Sequence, residues 1–331
     1  MDDGRSARIL VVGAGAVGGW FGSRLLAAGR DVTFLVRPGR ADALARDGLR
    51  VATRDGVETF AGVRTVVAGE GGFGGATGAG DSDGDSDSDS DFDVVLLAVK
   101  GCALEAAMRD LEGFVGPATT IVPLLNGLRH LELLAGRFGD SRVVGGLCVV
   151  AAQLDDDGTV RLLAPGSSLS YGELDGSVTE RIRMLDAGLQ TGSPGVRARL
   201  SEHIRADLWA KWVFLASGGV LTTLVGGPVG EIVAAPGGVD TALAVIAECA
   251  AVSTAAGFPP QAKALENLRA TLTEPGSAFT TSLYRDLVQG RRLEHEAIVG
   301  DLVARAGALD VPVPLLTAAY ARLGLAAAAR A

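Results

Sequence analysis

The sequence predicts an α/β fold: a parallel sheet in the N-terminal part, followed by an all-helical part. Three observations carry this. Through the first 140 residues or so, short Val- and Leu-rich runs alternate with helical stretches of about ten residues, which is the pattern of βαβ units. Beyond position 200 the strand signal stops, and helical periodicity broken by Gly and Pro remains. The length, 331 residues, is enough for two domains, each with its own core.

Taken in order, RILVV (8–12) reads as a first strand, and GAGAVGGWFGSRLLAAG opens a helix directly after it. DVTFLV (31–36) reads as a second strand and ADALARDG (41–48) as a helix, followed by LRVAT and ETFAGVRTVV as two short strands. The alternation resumes with DVVLLAVK (93–100), a helix near 103–113, TTIVPLLNG (119–127) and a helix near 128–138. From 142 to 173, strands joined by DDDG and APG turns are expected, then a helix and a strand near 194–199. A boundary in RARLSEHIR divides the chain into 1–200 and 201–331. The second part carries helical patterns at 201–224, 238–256, 259–272, 278–289 and 293–308.

The net charge of −9 is concentrated in one place. Residues 69–93 hold Glu70, seven Asp and no base, so the rest of the chain carries only −1. A Gly/Ser/Asp stretch has too few apolar groups to offset the entropy of ordering, so 69–92 is expected to be a disordered, dispensable insertion. Alternating Asp can suggest calcium, but a calcium loop needs a Gly turn and a closing bidentate acid, and a solvated insertion is expected instead. No basic stripe points to nucleic acid. No apolar run is read as reaching the roughly 18 residues needed to span a bilayer. The start, MDDGRSARIL, shows no signal-peptide pattern. Cys102, Cys148 and Cys249 fit neither a disulfide framework nor a zinc site, and no metal is expected. The expected compartment is the cytoplasm and the expected partner a small molecule, with room left for a homodimer.

Gly13, Gly15 and Gly18 stand in G-x-G-x-x-G spacing, with Ala14, Ala16 and Val17 between them, after a strand and at the opening of a helix. The first glycine permits a tight turn, the second lets backbone approach a pyrophosphate, and the third lets helix and strand pack closely. Unpaired N–H groups at the helix start then face the phosphate charge. The N-terminal part is therefore expected to be a Rossmann-type dinucleotide-binding domain. An NAD-binding chain would place Asp or Glu after the second strand; VTFLVRPGR offers Arg37, with Arg40 following. A guanidinium pairs with a 2′-phosphate that a carboxylate would repel, so NADP(H) is the expected cofactor.

Lysine occurs only as Lys100, Lys211 and Lys263, and asparagine only as Asn126 and Asn267. In a chain this rich in arginine, each becomes a candidate for a role that arginine or glutamine cannot fill. Lys211, within LWAKWVFLASGG, admits two accounts on its own: an i,i+4 helix pair with Asp207 worth about 0.3–0.5 kcal/mol, or an ammonium kept for chemistry. His130, His203 and His295 fit no ligand spacing and are read as structural.

The segments RILVVGAGAVGGWFGSRLLAAGRDVTFLVR, DVVLLAVK, PLLNG, LWAKWVF and SLYRDLVQGRRLEHEAIVGDLV, in this order, resemble the ketopantoate reductase (2-dehydropantoate 2-reductase) family. The likeness spans nearly the whole chain apart from the acidic segment. It implies NADPH-dependent reduction of a 2-oxoacid in a cleft between a Rossmann domain and a helical domain. By motif position it makes Lys211 the proton donor and Asn126 a contact to both cofactor and substrate. Ser282 becomes a substrate-binding serine and Glu294 the glutamate beside the nicotinamide end. Lys100 becomes a lysine facing the cleft, and Ala151 a cofactor-contacting alanine. The chemistry agrees: hydride addition builds negative charge on oxygen, and a lysine ammonium stabilises it and can release its proton where guanidinium cannot.

Each residue keeps a plain structural alternative. Lys100 could balance Asp110, Asn126 could be half of an Asn-Gly turn, Ser282 a helix start, and Glu294 a surface partner of Arg291 and Arg292. The chain also departs from the family pattern. Where asparagines usually stand four and eight residues after the lysine, and before the Gly-Glu pair of PVGE, it has Leu215, Gly219 and Val229. An apolar wall cannot select for a hydroxyl. The expected reaction is 2-dehydropantoate to pantoate, a step of pantothenate biosynthesis. The alternatives are reduction of another carbonyl compound in a more apolar pocket, or NADPH binding without turnover.

Overall fold

The computed structural model describes residues 7–69, 92–192 and 195–330. The chain forms two compact units, one of residues 1–125 and 130–204, the other of residues 126–129 and 205–331. Of the acidic segment expected to be disordered, residues 70–91 lie outside the described residues. Its last residue, Phe92, is buried edge-on against Phe114.

The first unit begins with β1 (Arg8–Val12), α1 (Ala16–Ala27), β2 (Asp31–Val36) and α2 (Pro38–Asp47). It continues through β3 (Leu49–Thr53), β4 (Gly56–Phe60), β5 (Arg64–Val67), β6 (Val94–Leu97), α3 (Leu104–Leu111), β7 (Thr120–Pro123) and α4 (Arg129–Phe138). Five of these strands make a parallel sheet in the order β5-β2-β1-β6-β7. Both its faces are covered, as an all-parallel sheet requires. Ile9, Val11, Phe34, Val36, Leu96 and Val122 point into one core, and their neighbours Leu10, Val12, Leu35, Leu97 and Ile121 into the other. This is the period-2 alternation of a strand.

The unit is completed by β8 (Gly145–Val149), β9 (Ala152–Leu154), β10 (Val160–Leu162), β11 (Ser167–Gly172), α5 (Glu180–Leu189) and β12 (Val196–Leu200). A second sheet, β4-β3-β10-β9, lies against α1, and a third runs β12-β11-β8. Helix α1 is squeezed between sheets. A Cβ on Gly22 would stand 2.5 Å from the Phe34 ring, and one on Gly19 would stand 2.7 Å from Val160. The run ETFAGVRTVV is not one strand. The turn at Ala61–Gly62 sends β4 to the second sheet and β5 to the parallel one.

The second unit is helical: α6 (Ile204–Leu221), α7 (Val229–Ala234), α8 (Gly238–Ala255), α9 (Ala262–Leu272), α10 (Ser282–Val288), α11 (Asp301–Ala308) and α12 (Pro314–Ala328). Helices α7 and α12 were not anticipated. Two π-helical turns, Thr222–Gly226 after α6 and Glu296–Gly300 before α11, interrupt the α geometry. Glu248 of α8 accepts the N–H groups of Leu315 and Leu316, placing a carboxylate on the positive end of α12. Trp209 lies 5.0 Å from Trp212 and stacks on Phe258 at 5.9 Å, so α6 runs through the middle of this core. Contrary to expectation, Ile204–Gly226 and Gly238–Ala255 are long and apolar enough to cross a membrane by length and composition. The most apolar window of the first is 67% buried in the protein itself, as a core helix must be.

Candidate functional site

In the first unit the site is built where β1 and β6 lie side by side and the chain leaves to opposite sides, the switch point of a doubly wound sheet. Gly13 donates its N–H to Leu35 O at 2.9 Å and turns with φ +91°, beside the carbonyl of Ala98. A Cβ on Gly18 would sit 1.9 Å from Gly13 O, so only glycine lets α1 start so close to the turn. Gly15 is different: a Cβ there would meet nothing within 4 Å. It faces the open side of the loop, where the first-turn N–H groups of α1, Ala16, Val17 and Gly18, have no helical partner. No acid stands in that turn. The loop Gly13–Gly18, with Ala14 inside it, is thus a cradle shaped for a diphosphate, and the residues present fit a dinucleotide.

Arg37 caps the start of α2 with its backbone and leaves its side chain exposed. Arg40 faces inward. Its Nε donates to Ala14 O and its Nη1 to Gly158 O, both at 3.0 Å, and burial lowers its pKa. It ties the phosphate loop to the β9–β10 hairpin, a role the sequence did not reveal. Lys100 is exposed just beyond β6, where its carbonyl accepts the N–H of Ala103. Ala151, between β8 and β9, is exposed and bonds Leu163 through its carbonyl.

In the second unit, Asn126 precedes Gly127, which alone takes the left-handed turn at φ +77°. A Cβ on Gly127 would lie 2.2 Å from Ala297 O, so the two backbones touch. Lys211 sits half-buried in α6 between Trp209 and Trp212. Lys263 pairs with Glu266 on the surface, whereas Lys211 forms no ion pair among the described residues. Ser282 is exposed at the first turn of α10, and the capping expected of it falls to Thr281, whose Oγ1 accepts the N–H of Tyr284. The same threonine meets Thr222 at 3.0 Å, which brings the start of α10 against the end of α6. Glu294 is half-buried, and its carbonyl accepts the N–H of Ile298 at 3.1 Å. Of the two arginines expected beside it, Arg291 faces Asp286 at 3.8 Å.

The three departures from the family pattern separate. Leu215 lies one turn beyond Lys211 and is half-buried. Gly219 leaves room for Leu283, whose methyl a Cβ there would meet at 3.3 Å. Val229 is fully buried, with its N–H on Phe279 O, so this side chain belongs to the core. Phe214 crosses Phe279 edge-on at 6.1 Å and adds aromatic surface beside Leu215.

Comparison with known proteins agrees with this architecture. The family described as "Ketopantoate reductase PanE/ApbA" matches residues 9–176, and its C-terminal counterpart matches residues 203–326. The chain is 35% identical over 318 residues to an uncharacterized oxidoreductase, YkpB, of Bacillus subtilis (strain 168), covering 96% of this chain and 97% of that protein. It is 27% identical to a 2-dehydropantoate 2-reductase of Mesorhizobium japonicum, covering 95% and 96% respectively. Among solved structures, 2-dehydropantoate 2-reductase from Methylococcus capsulatus superimposes with a TM-score of 0.78 at 27% identity over 98% of both chains. The ternary complex of D-mandelate dehydrogenase with NADH and anilino(oxo)acetate shares the fold, with a TM-score of 0.82 at 18% identity, covering 98% of this chain and 99% of that one.

Proposed function

This chain belongs to the ketopantoate reductase family, an oxidoreductase family, and from that premise we propose that it reduces a 2-oxoacid to the 2-hydroxyacid with NADPH. The observation that carries the proposal is Lys211, a half-buried amine in a core helix with no ion pair among the described residues. When bound, NADPH supplies the hydride for the carbonyl carbon. The Lys211 ammonium stabilises the oxygen as charge builds and passes its proton to it. Asn126 and Ser282 orient the substrate, and Glu294 is the second polar group at the reacting end. The loop Gly13–Gly18 holds the diphosphate, Arg37 the 2′-phosphate, and Lys100 and Ala151 complete the cofactor contacts.

Reduction of 2-dehydropantoate to pantoate is the first reading. A second is favoured by Leu215 and Phe214, which present apolar surface after the lysine: a 2-oxoacid with an apolar side chain. NADPH oxidation with 2-dehydropantoate and with 3-methyl-2-oxobutanoate, side by side, separates the two. Lys211→Ala tests the mechanism. It should lower kcat by roughly 10²–10⁴-fold while NADPH still binds; undiminished turnover on every accepted substrate would refute it.

A further inference from the structure

The π turn Glu296–Gly300 touches the chain beside each of three proposed site residues. The Ile298 carbonyl accepts the indole N–H of Trp212 at 2.9 Å, and Trp212 follows Lys211 directly. The Ala297 carbonyl is pressed against Gly127, next to Asn126, with 2.2 Å between it and the place a Cβ would take. The Ile298 N–H bonds the carbonyl of Glu294 itself. A π turn carries one extra residue in a helical turn and redirects its carbonyls, and such turns recur at functional sites. Here the Ile298 carbonyl meets a partner across the core.

Trp212 is 1% exposed, so its N–H requires an acceptor. Its ring is held as well, with Trp209 at 5.0 Å and the Arg305 guanidinium at 5.6 Å. An indole fixed in this way cannot rotate to follow a drifting helix. The segment of α6 that carries Lys211 is therefore tied to the turn that follows Glu294, bonds its carbonyl and touches Gly127.

We propose that this π turn sets the spacing of Asn126, Lys211 and Glu294, and that Trp212 is a positioning residue acting through Lys211. The proposal rests on the functional reading above.

Trp212→Phe removes the N–H and keeps an aromatic ring. With NADPH and either 2-oxoacid, kcat should fall about tenfold while NADPH affinity changes less than twofold, because a misplaced donor impairs the chemical step alone. In the Lys211→Ala background the same substitution should cost less than twofold, since no ammonium remains to misplace. Val245→Ala, a fully buried change in α8, is the control for general loosening and should act equally in both backgrounds. If Trp212→Phe folds poorly, β-(3-benzothienyl)alanine at position 212 deletes only the N–H and keeps the shape, and the same pair of measurements applies. Equal cost in both backgrounds, or undiminished kcat in a folded variant while Lys211→Ala is impaired, overturns the positioning role alone. Full turnover by Lys211→Ala overturns the functional reading instead.

Discussion

Arg37 and Arg40 leave the start of α2 three residues apart and meet different surroundings. Arg37 is exposed. Arg40 gives two of its donors to the carbonyls of Ala14 and Gly158, so it holds the phosphate loop in place whichever nucleotide occupies it. Arg37→Ala should therefore weaken NADPH at least tenfold and change NADH less than twofold, because a charged contact to the 2′-phosphate is lost. Arg40→Leu should weaken both cofactors by the same factor. Fluorescence titration of each variant with each nucleotide decides. NADPH-selective loss in Arg40→Leu, or equal loss in Arg37→Ala, would reverse the assignment. The two arginines look alike in VTFLVRPGR because the acceptors of Arg40 lie 26 residues before it and 118 after it. Lys211 is conspicuous in the sequence. Its rarity marks it as a candidate, whereas its neighbour Trp212 carries no such mark, since its acceptor lies 86 residues away.

At the scale of an element, α1 shows how glycines in one motif are required for separate reasons. Gly18 is constrained by the protein: a methyl there would overlap Gly13 O. Gly15 faces open space, so the protein itself leaves room for a methyl there, and the proposed diphosphate would take that room. Gly15→Ala should keep the fold, losing about 1 kcal/mol at the N-cap and a few degrees in Tm, while NADPH affinity falls at least tenfold. Gly18→Ala should lower Tm far more, because strand and helix must part. Thermal unfolding with and without NADPH checks both, and unchanged NADPH binding by Gly15→Ala would remove the loop from the site. The loop was legible because strand, turn and helix are local in sequence. Sheet membership was not. Nothing in ETFAGVRTVV shows that its two halves pair with β3 and with β2, since those partners are chosen by tertiary packing. Helix α12 escaped for another reason: PLLTAAYARLGLAAA is apolar on most sides, and its polar anchor, Glu248, lies on α8.

For the whole molecule, the acidic segment poses a question that composition alone answers incompletely. Composition leads one to expect that 69–92 is dispensable; topology says how short a replacement of 70–91 can be. Strand β5 is separated from β6 by β2 and β1, a lateral distance of about 14 Å at usual strand spacing. The strand registers align Val66 with Leu35, Leu35 with Val12, and Val12 with Leu97. Ala68 and Asp93, which continue those strands, are then about six residue steps apart along the sheet, or about 20 Å. The diagonal is about 24 Å, and the chain cannot run straight through the packed face. A three-residue link in place of 70–91 reaches at most about 21 Å when fully extended. A twelve-residue Gly/Ser link has a typical span of about 22 Å and costs little in closure entropy. The long replacement should leave Tm within about 3 °C of the parent and NADPH oxidation intact, while the short one should yield no folded monomer. Thermal unfolding and size-exclusion chromatography of the two variants read this directly. A well-folded three-residue variant would contradict the strand order, because no extended chain of that length joins β5 to β6 across two intervening strands. An unfolded twelve-residue variant would show that the acidic segment contributes to the fold beyond its length.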